Sequence, residues 1–110
     1  MKLKTILELP ECRTLACGDP ERKISKIFCC DLLSLAMGRL PADGVWVTVM
    51  GNRNTLAVAS LADAACIVLA EGVSLDSETV EKAKEEGISV LATDLPVFDI
   101  ALKIHEAREP

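Results

Sequence analysis

The run Val45-Trp46-Val47-Thr48-Val49-Met50 constrains this chain more than any other stretch. It is rich in β-branched residues and apolar at both parities. Side chains alternate across a strand, so both faces of this one must be covered. That is the demand of a central strand in a parallel sheet with helices on both sides. Ala65 to Leu69 repeats the pattern, and Ile88 to Ala92 reads as the next strand.

Helical patterns separate these runs. Asp76 predicts the cap of a helix over Ser77–Glu86, which Gly87 ends. Its core side is Val80 and Ala83, and Glu78 and Lys82 sit outside at i,i+4. After the breaker Gly51-Asn52-Arg53, Asn54 predicts the cap of a helix over Thr55–Leu61. Asp31 predicts the cap of a helix over Leu32–Arg39. A last helix runs from Val97 to about Ala107, with Val97, Ile100, Ala101 and Ile104 as its stripe. Upstream, Leu3–Leu9 is a short helical pattern, and Thr14–Cys17 and Ile24–Cys30 read as two further strands. From Val45 onward strand and helix alternate, and each connection is long enough for a right-handed crossover. The expected fold is a single α/β domain over residues 1–110: a mostly parallel sheet of about five strands with helices on its faces.

Composition excludes several function classes. Twelve basic residues stand against seventeen acidic ones, a net charge of −5. A large basic footprint for nucleic acid is absent, and Phe28, Trp46 and Phe98 are too few to stack bases. No stretch reaches the roughly 18 uncharged apolar residues of a membrane span. Met1-Lys2-Leu3-Lys4 runs into Glu8 and Pro10 without the apolar core of a signal peptide. The expectation is a cytoplasmic protein with no nucleic-acid and no membrane partner. Five cysteines, an odd number among apolar neighbours, fit reduced thiols in that compartment. Cys29 and Cys30 point to opposite faces of a strand, Cys12 and Cys17 are not a C-x-x-C pair, and His105 is the sole histidine. No metal and no cofactor are expected.

Two helices carry too much apolar surface for a monomer's exterior. Leu32, Leu33, Leu35, Ala36 and Met37 lie on one, and Leu56, Ala57, Val58, Ala59 and Leu61 on the other. A surface helix shows a single apolar stripe; these are apolar nearly all round. Either the core covers them on both sides or another chain does. The expectation is a homodimer with Leu32, Leu35, Met37, Leu56 and Val58 in its interface. The alternative occupant is a protein partner, with no small-molecule ligand.

Ligands of parallel sheets sit at the carboxyl ends of the strands. Gly51, Asn52, Arg53, Asn54 and Thr55 follow the most buried strand and open a helix. Their amides and the Arg53 fork suit a small anionic ligand or a nucleotide. The plainer reading is a loop with a cap. Glu71 and Asp94 end the next two strands and face the same edge; Asp94 is equally a cap for the last helix. No Gly-Lys-Ser/Thr follows Gly51, so this is not a P-loop. No catalytic residues are expected. The enzyme-like exception is a thiol at Cys29 or Cys30, activated by the helix start near Asp31.

The strings Cys30 to Arg39, Val45 to Thr55, Ala62 to Ile67, Glu71-Gly72 and Thr93 to Pro96 together resemble a DRTGG domain, and the resemblance runs from about Leu3 to His105. Such domains occur alone, between CBS modules of some pyrophosphatases, and in some phosphotransacetylases. Their fold is similar to the N-terminal domain of HPr kinase/phosphorylase and to the uridine-nucleotide-binding domain of Mur ligases. The resemblance implies an α/β domain that dimerises and senses a ligand, and implies no reaction. The chain departs from the family at the naming motif: Glu21 to Phe28 contains no Gly-Gly. Stand-alone relatives lie beside hydrogenase and redox genes, which implies an accessory role toward a redox or metabolic enzyme.

Overall fold

The computed structural model describes residues 1–108. The chain runs α1 (Leu3–Leu7), β1 (Cys12–Ala16), β2 (Ile27–Cys29), α2 (Leu33–Arg39), β3 (Val45–Thr48), α3 (Arg53–Ala62), β4 (Cys66–Leu69), α4 (Ser77–Glu86), β5 (Val90–Thr93) and α5 (Val97–Glu106). One sheet holds all five strands in the order β1-β5-β4-β3-β2. β2 through β5 are parallel, and β1 closes one edge antiparallel to β5. This is the α/β architecture that the alternation of elements predicts.

β3, β4 and β5 are buried along their whole length, and their two parities serve two cores. Val45, Val47, Val68 and Leu91 face α1 and α5, meeting Leu3, Ile6, Ile100 and Ile104. Trp46, Ile67, Leu69 and Val90 face α2, α3 and α4, meeting Ala36, Leu56, Ala59 and Ala83. The chain steps from β2 to β5 one strand at a time in one direction. Right-handed crossovers then put α2, α3 and α4 on one face, with α3 in the middle. After β5 the chain passes to the other face, where α5 packs under β2 and β3.

Several boundaries differ from the sequence reading. Asp76 does cap α4, accepting from the Thr79 N–H at 2.7 Å, and Gly87 ends it in the left-handed region. Thr79, rather than Val80, is buried beside Ala83. The cap of α3 is Asn52, not Asn54: its Oδ1 accepts from the N–H groups of Asn54 at 2.9 Å and Thr55 at 3.2 Å. The helix therefore begins at Arg53. Asp31 caps nothing. α2 starts after Leu32 with no side-chain cap, because the Asp31 carboxylate is turned toward β3. Asp94 does not cap α5 either; Pro96 precedes that helix. The strand expected over Ile24–Cys30 is cut to Ile27–Cys29, since the Ile24 N–H donates to the Met1 carbonyl and Lys23 bridges Lys2.

An arginine ties the opposite edge together. Arg22 donates from Nε to Asp43 Oδ1 at 3.0 Å and from Nη2 to the Asp63 carbonyl at 2.6 Å. Asp43 and Asp63 both sit in the left-handed region, at φ 62° and 58°, just before β3 and β4. Aspartate tolerates that region better than most residues. Burial opposes the Arg22 charge, but its bonds to Asp63 and Asp43 outweigh that and push the pKa upward.

Candidate functional site at the carboxyl edge of the sheet

The carboxyl ends of β2, β3, β4 and β5 lead into four loops on one edge. The loop from β3 to α3 carries Gly51, Asn52 and, at the helix start, Arg53, Asn54 and Thr55. It is held by its own bonds. Asn52 occupies the Asn54 and Thr55 amides, and the Thr55 hydroxyl donates to the Met50 carbonyl at 2.6 Å. A Cβ on residue 51 would lie 2.9 Å from Val73 Cγ1 and from the Ser74 carbonyl oxygen, so only glycine lets the neighbouring loop pass there. Arg53 donates from Nη2 to Glu78 Oε1 at 2.9 Å across an exposed groove of about 290 Å³ that Glu81, Lys82 and Glu85 complete. An anion at this helix start would compete with Asn52 for the amides and with Glu78 for the guanidinium.

The topological switch lies between β4 and β5. Their connections leave toward opposite faces of the sheet, α4 to one and α5 to the other, which opens a crevice between the strand ends. The chain spans it with its own backbone: the Glu71 N–H donates to the Leu95 carbonyl and the Gly72 N–H to the Thr93 carbonyl, each at 2.9 Å. Both donors come from left-handed residues, Glu71 at φ 61° and Gly72 at φ 74°. Glu71 and Asp94 are thereby brought to neighbouring strand ends. Beside them is a shallow groove of about 270 Å³ lined by Pro10, Glu11, Arg13, Thr93, Asp94 and Leu95. Arg13 stands 3.6 Å from Asp94 there. Sequence reading missed Arg13, because β1 reaches this edge only through its antiparallel pairing with β5, a long-range fact.

The turn into α2 and α2 itself carry one of the exposed apolar patches; Leu61 on α3 and Phe98 and Leu102 on α5 are exposed elsewhere. Leu32 is 59% exposed, Leu35 42% and Met37 59%. α2 buries only Ala36. Leu56 and Val58, expected in the same interface, are 1% and 4% exposed and belong to the core. The reason is position: α3 lies over the middle of the sheet with α2 beside it, so Leu56 and Val58 point into the core, whereas Leu61 near its end is 78% exposed. α2 sits at the end of the row.

The Cys29 thiol at this edge is not activated. Burial, and then the Asp31 charge, push the Cys29 thiol up, the opposite of activation. Cys12 is pushed up to about 11 and Cys66 to about 12, in both cases mainly by burial. Among the described residues no three ligating side chains cluster for a metal ion. Among them, too, no helix is long and apolar enough to cross a membrane.

The sequence model of the DRTGG domain matches residues 6–107. The chain belongs to the DRTGG domain family. No curated protein matches the sequence. This DRTGG domain is similar to the crystal structure of the CBS and DRTGG domains of the regulatory region of Clostridium perfringens pyrophosphatase, complexed with its activator diadenosine tetraphosphate. The TM-score is 0.75 at 13% identity, over 96% of this chain and 46% of that one. The chain thus spans about half the length of that neighbour. At this identity the likeness concerns the fold alone.

Proposed function

We propose that this DRTGG domain is a non-catalytic regulatory domain that acts as a homodimer joined through α2. The observation that carries the reading is the exposure of Leu32, Leu35 and Met37 on a helix that buries one residue. Apolar side chains gathered on one short element mark a docking surface. A two-fold axis pairs such a surface with itself. Membership of the family, and the regulatory region to which its fold is similar, support a regulatory rather than a catalytic role.

Native mass spectrometry of the full chain tests this, since it reports subunits and bound small molecules together. A dimer is expected. A monomer at every concentration would overturn the reading and leave α2 to a different protein partner.

A second reading, ligand sensing, is favoured by the groove between Arg13 and Asp94 at the switch crevice. The similar regulatory region binds a nucleotide activator. A small anionic ligand or nucleotide would meet Arg13 there, or Arg53 at the start of α3 if it displaced Glu78. Calorimetric titration with diadenosine tetraphosphate is the check. Heat that disappears in Arg13→Ala or Arg53→Ala supports ligand sensing at that residue; no heat counts against it.

A further inference from the structure

α2 is weakly anchored by its own residues, so the segment before it matters. The Trp46 indole N–H donates to the Cys30 carbonyl at 2.9 Å, and the Cys30 N–H donates to the Val47 carbonyl at 3.2 Å. Asp31 Oδ1 accepts from the Thr48 hydroxyl and from the Val49 N–H, each at 3.0 Å. Thr48 is fully buried. Its hydroxyl has a single proton to give, and that proton goes to Asp31. The same oxygen accepts from the Met50 N–H at 3.2 Å. The Met50 carbonyl accepts from the Thr55 hydroxyl, and the Thr55 N–H is held by Asn52, the cap of α3. Hydrogen bonds therefore connect the first turn of α3 to the residue that leads into α2.

We infer that Thr48 is a positioning residue that couples the β3–α3 loop to the exposed face of α2. The purpose of the coupling rests on the homodimer reading; its geometry does not. A hydroxyl that donates and accepts at once has its two bonds polarise each other, so losing one weakens the other. A rearrangement of Val49 to Asn52 that withdraws the Met50 N–H therefore loosens the hold on Asp31. Leu32, next in the chain, moves with it, and Leu35 and Met37 follow on the same short helix. The strand ends and the docking face then share one switchable contact.

Hydrogen–deuterium exchange of the α2 amides tests this, read in a Leu35→Glu background so that docking adds nothing. Thr48→Val keeps the shape and removes the hydroxyl. It is expected to speed exchange over residues 33–40 by roughly tenfold, the size of one lost hydrogen bond, with β4 and β5 unchanged. Thr48→Ser is expected to restore protection. If valine unfolds the whole chain, Thr48→Ala replaces it, accepted only with β4 and β5 still protected. Asn52→Ala is expected to speed α2 exchange by itself and to add nothing once Thr48 is replaced. Unchanged exchange in Thr48→Val would overturn the inference. So would an Asn52→Ala effect of equal size with and without the Thr48 substitution. A monomeric wild-type chain would overturn the homodimer reading alone, because this background does not depend on docking.

Discussion

Trp46 donates its indole N–H to the carbonyl of Cys30 at 2.9 Å while the residue as a whole is fully buried in the core that Ala36 and Leu56 share. The bond carries the polar end of the only tryptophan into the turn that precedes α2. Aromatic residues of this kind need such a partner when buried. Trp46→Phe keeps much of the apolar packing and leaves the Cys30 carbonyl short of a donor. The expected cost is about 1–3 kcal/mol, read from urea unfolding of the two chains. An unchanged midpoint would mean that water replaces the indole.

Arg22 organises the amino ends of the parallel strands by bonding Asp43 and Asp63 together. Both partners depend on its planar fork. Arg22→Met is expected to destabilise the fold by about 1–3 kcal/mol in thermal or urea unfolding. Arg22→Lys recovers only part of this, because an ammonium does not reproduce two directed arms.

Much of this fold is legible in the sequence where the chemistry is local. Asp76 and Gly87 bracket α4 because capping needs only the chain around them. Val45 to Thr48 announces a buried strand because both parities are apolar. Asp31 and Asn54 mislead because any short polar residue near a helix start resembles a cap, and the turn of the backbone chooses among them. Asp31 is taken by Thr48 instead. The β2–β3 register pairs Phe28 with Trp46, an offset that carries Asp31 beside Val49. That offset is a tertiary fact. Leu56 and Leu35 look alike in sequence, yet one lies on the middle helix of a row and the other on the end helix. The site is less legible than the fold for the same reason: Arg13 reaches Asp94 only through β1–β5 pairing.

Acid is expected to release the start of α4. The hydrogen bonds from Thr79, backbone first and then side chain, hold Asp76 below its ordinary pKa of 3.8. A carboxyl depressed in the folded state stabilises above its unfolded pKa and stops doing so as pH falls through the folded value. Amide exchange at the first turn of α4 should therefore rise as pH drops below about 3.8, after correction for intrinsic rates. Asp76→Asn should abolish that pH dependence while keeping an acceptor for Thr79.

Thiol labelling should follow exposure and burial. Cys17 is exposed, whereas Cys66 is buried and pushed up to about 12. Cys17 is expected to react first with maleimide near neutral pH. Cys29 should lag behind it despite its exposure, because burial and Asp31 push its thiol up. Cys66 should label only on unfolding. The raised thiols also carry a sign for stability: their contribution is full below the ordinary value of 9.0 and is lost as pH rises toward about 12 for Cys66. Mass spectrometry of timed quenches orders the sites, and early labelling of Cys66 would contradict its burial.

Sedimentation velocity of three chains decides whether α2 joins two copies: wild type, Leu35→Glu on α2, and Leu102→Glu on the opposite face. Leu102 is also partly exposed, so it controls for the loss of any surface leucine. A concentration-dependent dimer is expected for wild type and Leu102→Glu. For Leu35→Glu the Kd is expected to weaken by roughly 30-fold or more, as for a charge placed in a docking surface. A wild-type chain that sediments as a monomer throughout, or a Leu35→Glu chain that dimerises as tightly as wild type, would contradict a homodimer joined through α2.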